Sequence, residues 1–211
     1  MKKFLLDMFL LCLVTGNAVA QDGFGSVASE AELQQRLNEA SDAVQTLSSQ
    51  FSQEKYIALL DEKIRSEGMF FYKKSDRICL EYRSPASHSV VINRQQMKIV
   101  SDGKTNIYDV GKNRMMAQTN LLLTACMTGN FGKLSKDYQL TFQESDTQYR
   151  IRIQPLTSHP SSVKKMDILL DKQDLSVQEL KMTEPSDDYT LYTFTGKQKN
   201  VQIADSKFKI Q

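Results

Sequence analysis

The chain holds no tryptophan, two histidines, three cysteines, four prolines and nine glycines among its 211 residues. Each scarcity removes a class of protein. So little glycine and proline excludes collagen and low-complexity chains, and a 40% apolar share excludes a disordered one. His88 and His159 are the only imidazoles, and neither stands in H-E-x-x-H or in any spacing that brings two rings onto one metal. Both lie near prolines, Pro85 and Pro160, and read as loop residues. G-x-S-x-G, the P-loop and G-x-G-x-x-G are missing. Glu54, Asp61, Glu62 and Glu67 read as solvated charges on edges and turns. No catalytic residue, metal or cofactor is assigned, and the chain is read as a non-enzyme. Charge of one sign is also lacking, since 27 Lys and Arg oppose 25 Asp and Glu for a net +2. That balance lacks the basic excess of a phosphate-tracking protein and argues against a nucleic-acid partner.

Long apolar runs are absent but for one. Lys2 and Lys3 precede the run from Phe4 to Val14, interrupted by Asp7, and Ala18-Val19-Ala20 follows with the small-x-small pattern of a signal-peptidase site. The run falls short of the roughly 20 residues that span a bilayer. Residues 1–20 are therefore expected to be a signal peptide cut after Ala20, and residues 21–29 a short lead. A lipoprotein signal at Cys12 is the rival reading, but Leu11 is not the small residue that acylation prefers. Cleavage takes two lysines and one aspartate, lowering the net charge from +2 to +1. It leaves Cys79 and Cys126, which are either two buried thiols or one disulfide in a permissive compartment.

What is present is patterned. Ser29-Glu30-Ala31-Glu32 has the S-x-x-E form of a capping box. Leu33, Leu37, Ala40, Val44, Leu47 and Phe51 then recur at steps of three and four, predicting one long amphipathic helix. Beyond Phe51 the period becomes two. Ile78, Leu80 and Tyr82 alternate with charged or polar residues, as do Tyr138-Leu140-Phe142, Tyr149-Ile151-Ile153, Met166-Ile168-Leu170 and Leu175-Val177. Turn chemistry falls at Asn93 to Gln96, Asp102-Gly103, Gly111 to Asn113 and Lys172 to Asp174. About ten or eleven short strands in one antiparallel sheet are too many to lie flat, so a curved, partly closed barrel follows. The run from Thr119 to Met127 lacks alternation and reads as a short inserted helix. One domain is expected over residues 30–211.

Gly68-Met69-Phe70-Phe71-Tyr72 places large side chains on both faces of one strand, so cover is needed on each side. A central strand in an ordinary sandwich satisfies this as well as a strand lining a cavity does. Met97, Met115, Met116, Met127, Met166 and Met182 add adaptable apolar surface that suits either a core or a variable ligand.

The order of these pieces resembles the LolA family of periplasmic lipoprotein carriers. Phe51-Ser52-Gln53-Glu54-Lys55 is similar to the family's first strand, Gly68 to Lys74 to its aromatic strand and basic pair, and Ser101 to Thr105 with Tyr108-Asp109 to its Asp-Gly-Lys turn. The likeness is strongest from about Leu37 to Met116. The fold it implies is mainly β: an incomplete, strongly curved antiparallel barrel over the long N-terminal helix and a short lid helix. The implied lipid-binding residues are Phe51, Phe70, Tyr72, Ile78, Leu80 and Tyr82, with Phe70 and Tyr72 yielding to Met69 and Phe71 if the other face points inward. Leu121, Leu122, Leu123 and Met127 become lid residues. Lys74 stands where the family has an Arg that latches the lid, and lacks its planar fork; Phe71 and Leu80 stand where the family has tryptophans. These departures mark a divergent member. The implied role is a monomeric carrier in the periplasm of a Gram-negative cell. It would take acylated lipoproteins from an inner-membrane exporter to an outer-membrane acceptor the sequence does not name. The alternatives keep the fold and change the cargo to a lipid-linked pigment or glycolipid, or make the chain a lipid-sensing interaction module.

Overall fold

The structure, a computed structural model, describes residues 23–112, 121, 122, 124, 125, 129, 131, 134, 136–157 and 163–211. The expected signal peptide, His159, Cys126, Leu123 and Met127 lie outside the described residues.

The chain runs as β1 (Gly25–Ser26), α1 (Glu30–Ala43), β2 (Thr46–Ile57), β3 (Glu62–Lys73), β4 (Arg77–Ser84), β5 (His88–Asn93), β6 (Gln96–Ser101), β7 (Lys104–Asp109), β8 (Tyr138–Glu144), β9 (Gln148–Pro155), β10 (Lys165–Asp171), β11 (Val177–Thr183) and β12 (Tyr189–Lys199). All strands join one antiparallel sheet in the order β1-β8-β9-β10-β11-β12-β2-β3-β4-β5-β6-β7. Two meanders, β2 to β7 and β8 to β12, are thus sewn together where β12 pairs with β2, Phe194 opposite Phe51. The sheet stays open, with β1 and β7 at its edges, so the expected incomplete barrel over one helix is what forms. Twelve strands replace the ten or eleven expected; β1, at two residues, is too short to alternate.

The Ser29 hydroxyl accepts from the Glu32 amide at 3.3 Å, and Glu30 and Glu32 face the positive helix end. The helix is shorter than its apolar spacing predicts. It stops at Ala43, Val44 is already extended, and Leu47 and Phe51 belong to β2. The spacing misleads because Leu47, Ser49 and Phe51 are also two apart, which is strand period. Thr46, Ser48, Ser49 and Ser52 favour helix poorly, while β2 gains a ladder on both flanks, to β3 and to β12. The expectation for His88 also needs correction: it opens β5 opposite Tyr82 and stacks on that ring at 4.0 Å, 12° from parallel.

Alternation sorts the side chains into two layers. Phe70 and Tyr72 on β3, Ile78, Leu80 and Tyr82 on β4, Ile151 and Ile153 on β9 and Ile168 and Leu170 on β10 share one core with Leu33 and Leu37 of α1 and with Leu122, Ala125, Phe131 and Leu134. The opposite face of β3 to β5 carries a smaller cluster, in which Ile203, Phe208 and Ile210 of the C-terminal segment cover Cys79 and Val91 and pack with Phe71. Asn93 donates to the Phe208 carbonyl at 3.0 Å, and Lys207 joins Glu81 at 2.6 Å. The two-faced strand therefore has cover on each side, helix within and strap without. Gly68 is required by closeness rather than by its φ: a Cβ there would lie 2.1 Å from the Glu81 carbonyl oxygen and 2.8 Å from the Phe51 ring.

Candidate functional site: an apolar concavity

The six residues expected to line the site, Phe51, Phe70, Tyr72, Ile78, Leu80 and Tyr82, all fall in the inner core, each less than a tenth exposed. Strand parity makes Phe70 and Tyr72 the inward pair of β3 and leaves Met69 and Phe71 on the other face. Burial here is by the protein's own side chains. Leu33 and Leu37 of α1 and Leu122 occupy the hollow, and Leu121 packs against it. Among the described residues a cleft of about 50 Å³ stays open between α1 and the strands, edged by Leu37, Val44, Leu47, Phe70, Leu175 and Phe194. Ligand pockets usually measure about 300–1,000 Å³. The concavity is filled by α1 and by the segment that carries Leu122, Ala125, Phe131 and Leu134, in which the described residues 121, 122, 124 and 125 are helical, as the inserted helix expected there requires.

Aromatic rings build the floor. Phe51 meets Tyr82 edge-on at 5.0 Å, and Phe70 meets Phe194 at 5.5 Å across the seam. The Tyr82 hydroxyl lies 2.7 Å from Gln53 Oε1, to which it donates, and 3.2 Å from the Tyr192 hydroxyl. Burial pushes the Tyr82 phenol up and Tyr192 well above the ordinary tyrosine range. Both therefore stay neutral and serve as hydrogen-bonding groups in an apolar wall. Tyr192 and Phe194 were not named from the sequence. Alternation marks β12 as a strand, but nothing local says that it lies beside β2.

Lys74 sits just after β3, its amide donating to the Gln45 carbonyl at 2.8 Å. Its ammonium donates to the Asp42 carbonyl at 3.1 Å and lies 3.6 Å from the Asp42 carboxylate. A cation is favourable at this end of a helix, so among the described residues Lys74 fastens α1. Cys79 is a free thiol under the strap, its pKa pushed up to about 11 by burial. Among the described residues no three His, Cys, Asp or Glu side chains are grouped to hold a metal ion, and no helix is long and apolar enough to cross a membrane.

An open antiparallel sheet curved round an amphipathic helix, with aromatic residues converging on a hollow that the chain's own side chains fill, defines a half-barrel fold. The family described as outer membrane lipoprotein carrier protein LolA matches residues 42–211, and the chain belongs to that family. No curated protein sequence matches it significantly. Among solved structures, MucB is 14% identical with a TM-score of 0.53, the match covering 88% of this chain and 64% of MucB. An uncharacterised conserved protein from Thermus thermophilus is 6% identical with a TM-score of 0.52, over 85% of this chain and 93% of that one. A LolA superfamily protein from Nitrosomonas europaea is 8% identical with a TM-score of 0.42, over 83% and 97%. At such identities the likeness to MucB and to the Thermus protein is one of fold, and the chain spans less than two thirds of MucB.

Proposed function

We propose that this protein is a periplasmic carrier that shields the acyl chains of lipoproteins in its half-barrel and moves them from an inner-membrane exporter towards the outer membrane. The observation that carries the reading is the inner core itself: in a chain of the LolA family, a concave sheet is filled by α1 and the segment around Leu122 rather than by a second sheet. Such filling can be exchanged. Leu121, Leu122, Leu123 and Met127 act as the lid; the side chains of Leu121 and Leu122 fill the acyl position until cargo displaces them, and Phe51, Phe70, Tyr72, Ile78, Leu80 and Tyr82 receive the chains. Lys74 holds the C-terminal end of α1 in the closed form.

Displacement sets the affinity. Each buried methylene gains about 0.8 kcal/mol, so an empty preformed cavity would hold two or three acyl chains almost irreversibly. Cargo that must first expel leucines gains only the difference, and release remains possible. Native mass spectrometry of the protein purified from periplasm, with extraction and identification of what is bound, tests the proposal. Acylated lipoprotein is expected. A different amphiphile would replace the cargo and keep the carrier, and a protein that is empty and fails to take up lipoprotein in vitro would overturn the reading.

A further inference from the structure

The rim of the cleft is polar in a way that closing a hollow does not require. Ser49 faces inward on β2, opposite Phe70. It is 1% exposed and lines the cleft, and its buried hydroxyl has no hydrogen-bond partner. A buried hydroxyl without a partner is destabilising, and alanine would fill the position as well.

Beside it, β12 carries an extra residue. Thr195 pairs with Gln50 and Gln198 with Ser48, three steps on one strand against two on the other. Gly196 takes the left-handed φ of +59° that such a bulge uses, with open space where a Cβ would be. The bulge reverses strand parity. Phe194 faces the core opposite Phe51 before it, and after it Lys197 and Lys199 line the cleft. Without the extra residue Lys197 would point to the opposite face.

The two lysines differ. Lys199 is neutralised, its ammonium 3.2 Å from Asp174 Oδ2. Lys197 donates to the Ser176 hydroxyl at 2.8 Å and to the Val177 carbonyl at 3.1 Å, both uncharged. Among the described residues no carboxylate lies within ion-pair distance of it. An ammonium has three donors, so one is left for a ligand. Burial draws its pKa down, although Asp174 and Asp171 oppose that. A bound anion would relieve the strain of a half-buried charge.

We infer that this rim is a head-group subsite for a single-chain amphiphile with an anionic, acceptor-rich head, a carboxylate or a phosphate. Its oxygens are held by the Lys197 ammonium and the Ser49 hydroxyl while its acyl chain runs inward over Phe70 and Phe194. The inference rests on the acyl-carrier reading for its apolar half, and adds a charge preference that acyl burial does not supply.

The test uses the mature chain and three probes of one chain length: palmitate, palmitoyl-lysophosphatidylglycerol and neutral 1-monopalmitoylglycerol, titrated below their micellar concentrations. The anionic probes should bind about tenfold more tightly than the neutral one, the usual weight of a hydrogen bond to a charged group. Lys197→Met should remove that advantage, so that charged and neutral probes bind alike, and Ser49→Ala should reduce it about threefold. Tighter binding of palmitate alone assigns the carboxylate source, and of the lysophospholipid alone the phosphate. Equal binding of all three, or an advantage that survives in both variants, overturns the head-group inference and spares the acyl reading. Binding of none overturns both.

Discussion

Leu122 is 2% exposed in the inner core with Leu33, Leu37 and the strand residues, and its truncation separates a lid from a simple core. Leu122→Ala removes buried apolar atoms and leaves a void, which costs about 2–5 kcal/mol in comparable sites. In a protein whose hollow is only core, that loss appears in stability alone. In a carrier, the same contact is one the ligand has to break, so weakening it favours the occupied form by an equal amount. A loss of about 2 kcal/mol then raises acyl affinity by up to about thirtyfold, until the closed form no longer predominates. Urea unfolding without ligand gives the first quantity, and titration with a fluorescent fatty acid gives the second. Ile151→Val serves as the control, because it thins the sheet rather than the plug. It should cost about 1 kcal/mol with no gain in affinity. A Leu122→Ala protein that loses stability and binds no more tightly than the parent refutes the displacement argument.

Four further outcomes are expected. Ser49→Ala should raise the stability of the empty protein by about 1 kcal/mol, since it deletes a buried unpartnered hydroxyl; a lowered urea midpoint would show that the hydroxyl is satisfied. Gly68→Ala, with its Cβ 2.1 Å from the Glu81 carbonyl oxygen, should cost about 3 kcal/mol or more by forcing β3 from β4, and a loss below about 1 kcal/mol would mean that the strands part easily. The Glu54 carboxylate accepts from Tyr189 at 2.7 Å and pairs with Lys63 at 3.0 Å, contacts that lower its pKa from 4.5 to about 2. A folded pKa below the unfolded one gives stability that is full above about pH 5 and is lost as the pH falls towards 2; the Glu54→Gln protein should show a flatter urea midpoint across that window, and parallel curves would contradict the assignment. Cys79, buried with its pKa near 11, should resist iodoacetamide at pH 8 in the native protein and react measurably faster in Phe208→Ala, where the strap is loosened; equal rates would place its protection elsewhere.

Features written in short stretches of chain were legible beforehand. The Ser29 cap, the β5 to β6 turn at Asn93 to Gln96 and the β6 to β7 turn at Asp102-Gly103 stand where their residue types place them. The inward set of β3 and β4 follows from alternation once one face is known, and the doubled apolar faces of Gly68 to Tyr72 rightly demanded cover on both sides. Features made by distant pairing were not. Leu47 and Phe51 fit helix and strand spacing equally, and only the ladders to β3 and β12 decide between them. That Phe51 faces Phe194, that Ile203 and Phe208 return to cover Phe71, and that Gly196 turns Lys197 towards Ser49 depend on partners up to about 150 residues apart. No local period encodes them. Gly196 was the available signal for the bulge, a lone glycine within an otherwise good strand.

The seam between β12 and β2 also orders events in time. The concave surface needs Phe51 and Phe70 from one meander and Tyr192 and Phe194 from the other, so no N-terminal part of the chain that lacks β12 can form it. Pairing across so long a separation is slow to nucleate. The first meander therefore waits, its aromatic face uncovered, for the last strand to arrive, and the concave surface is complete only once β12 has joined β2.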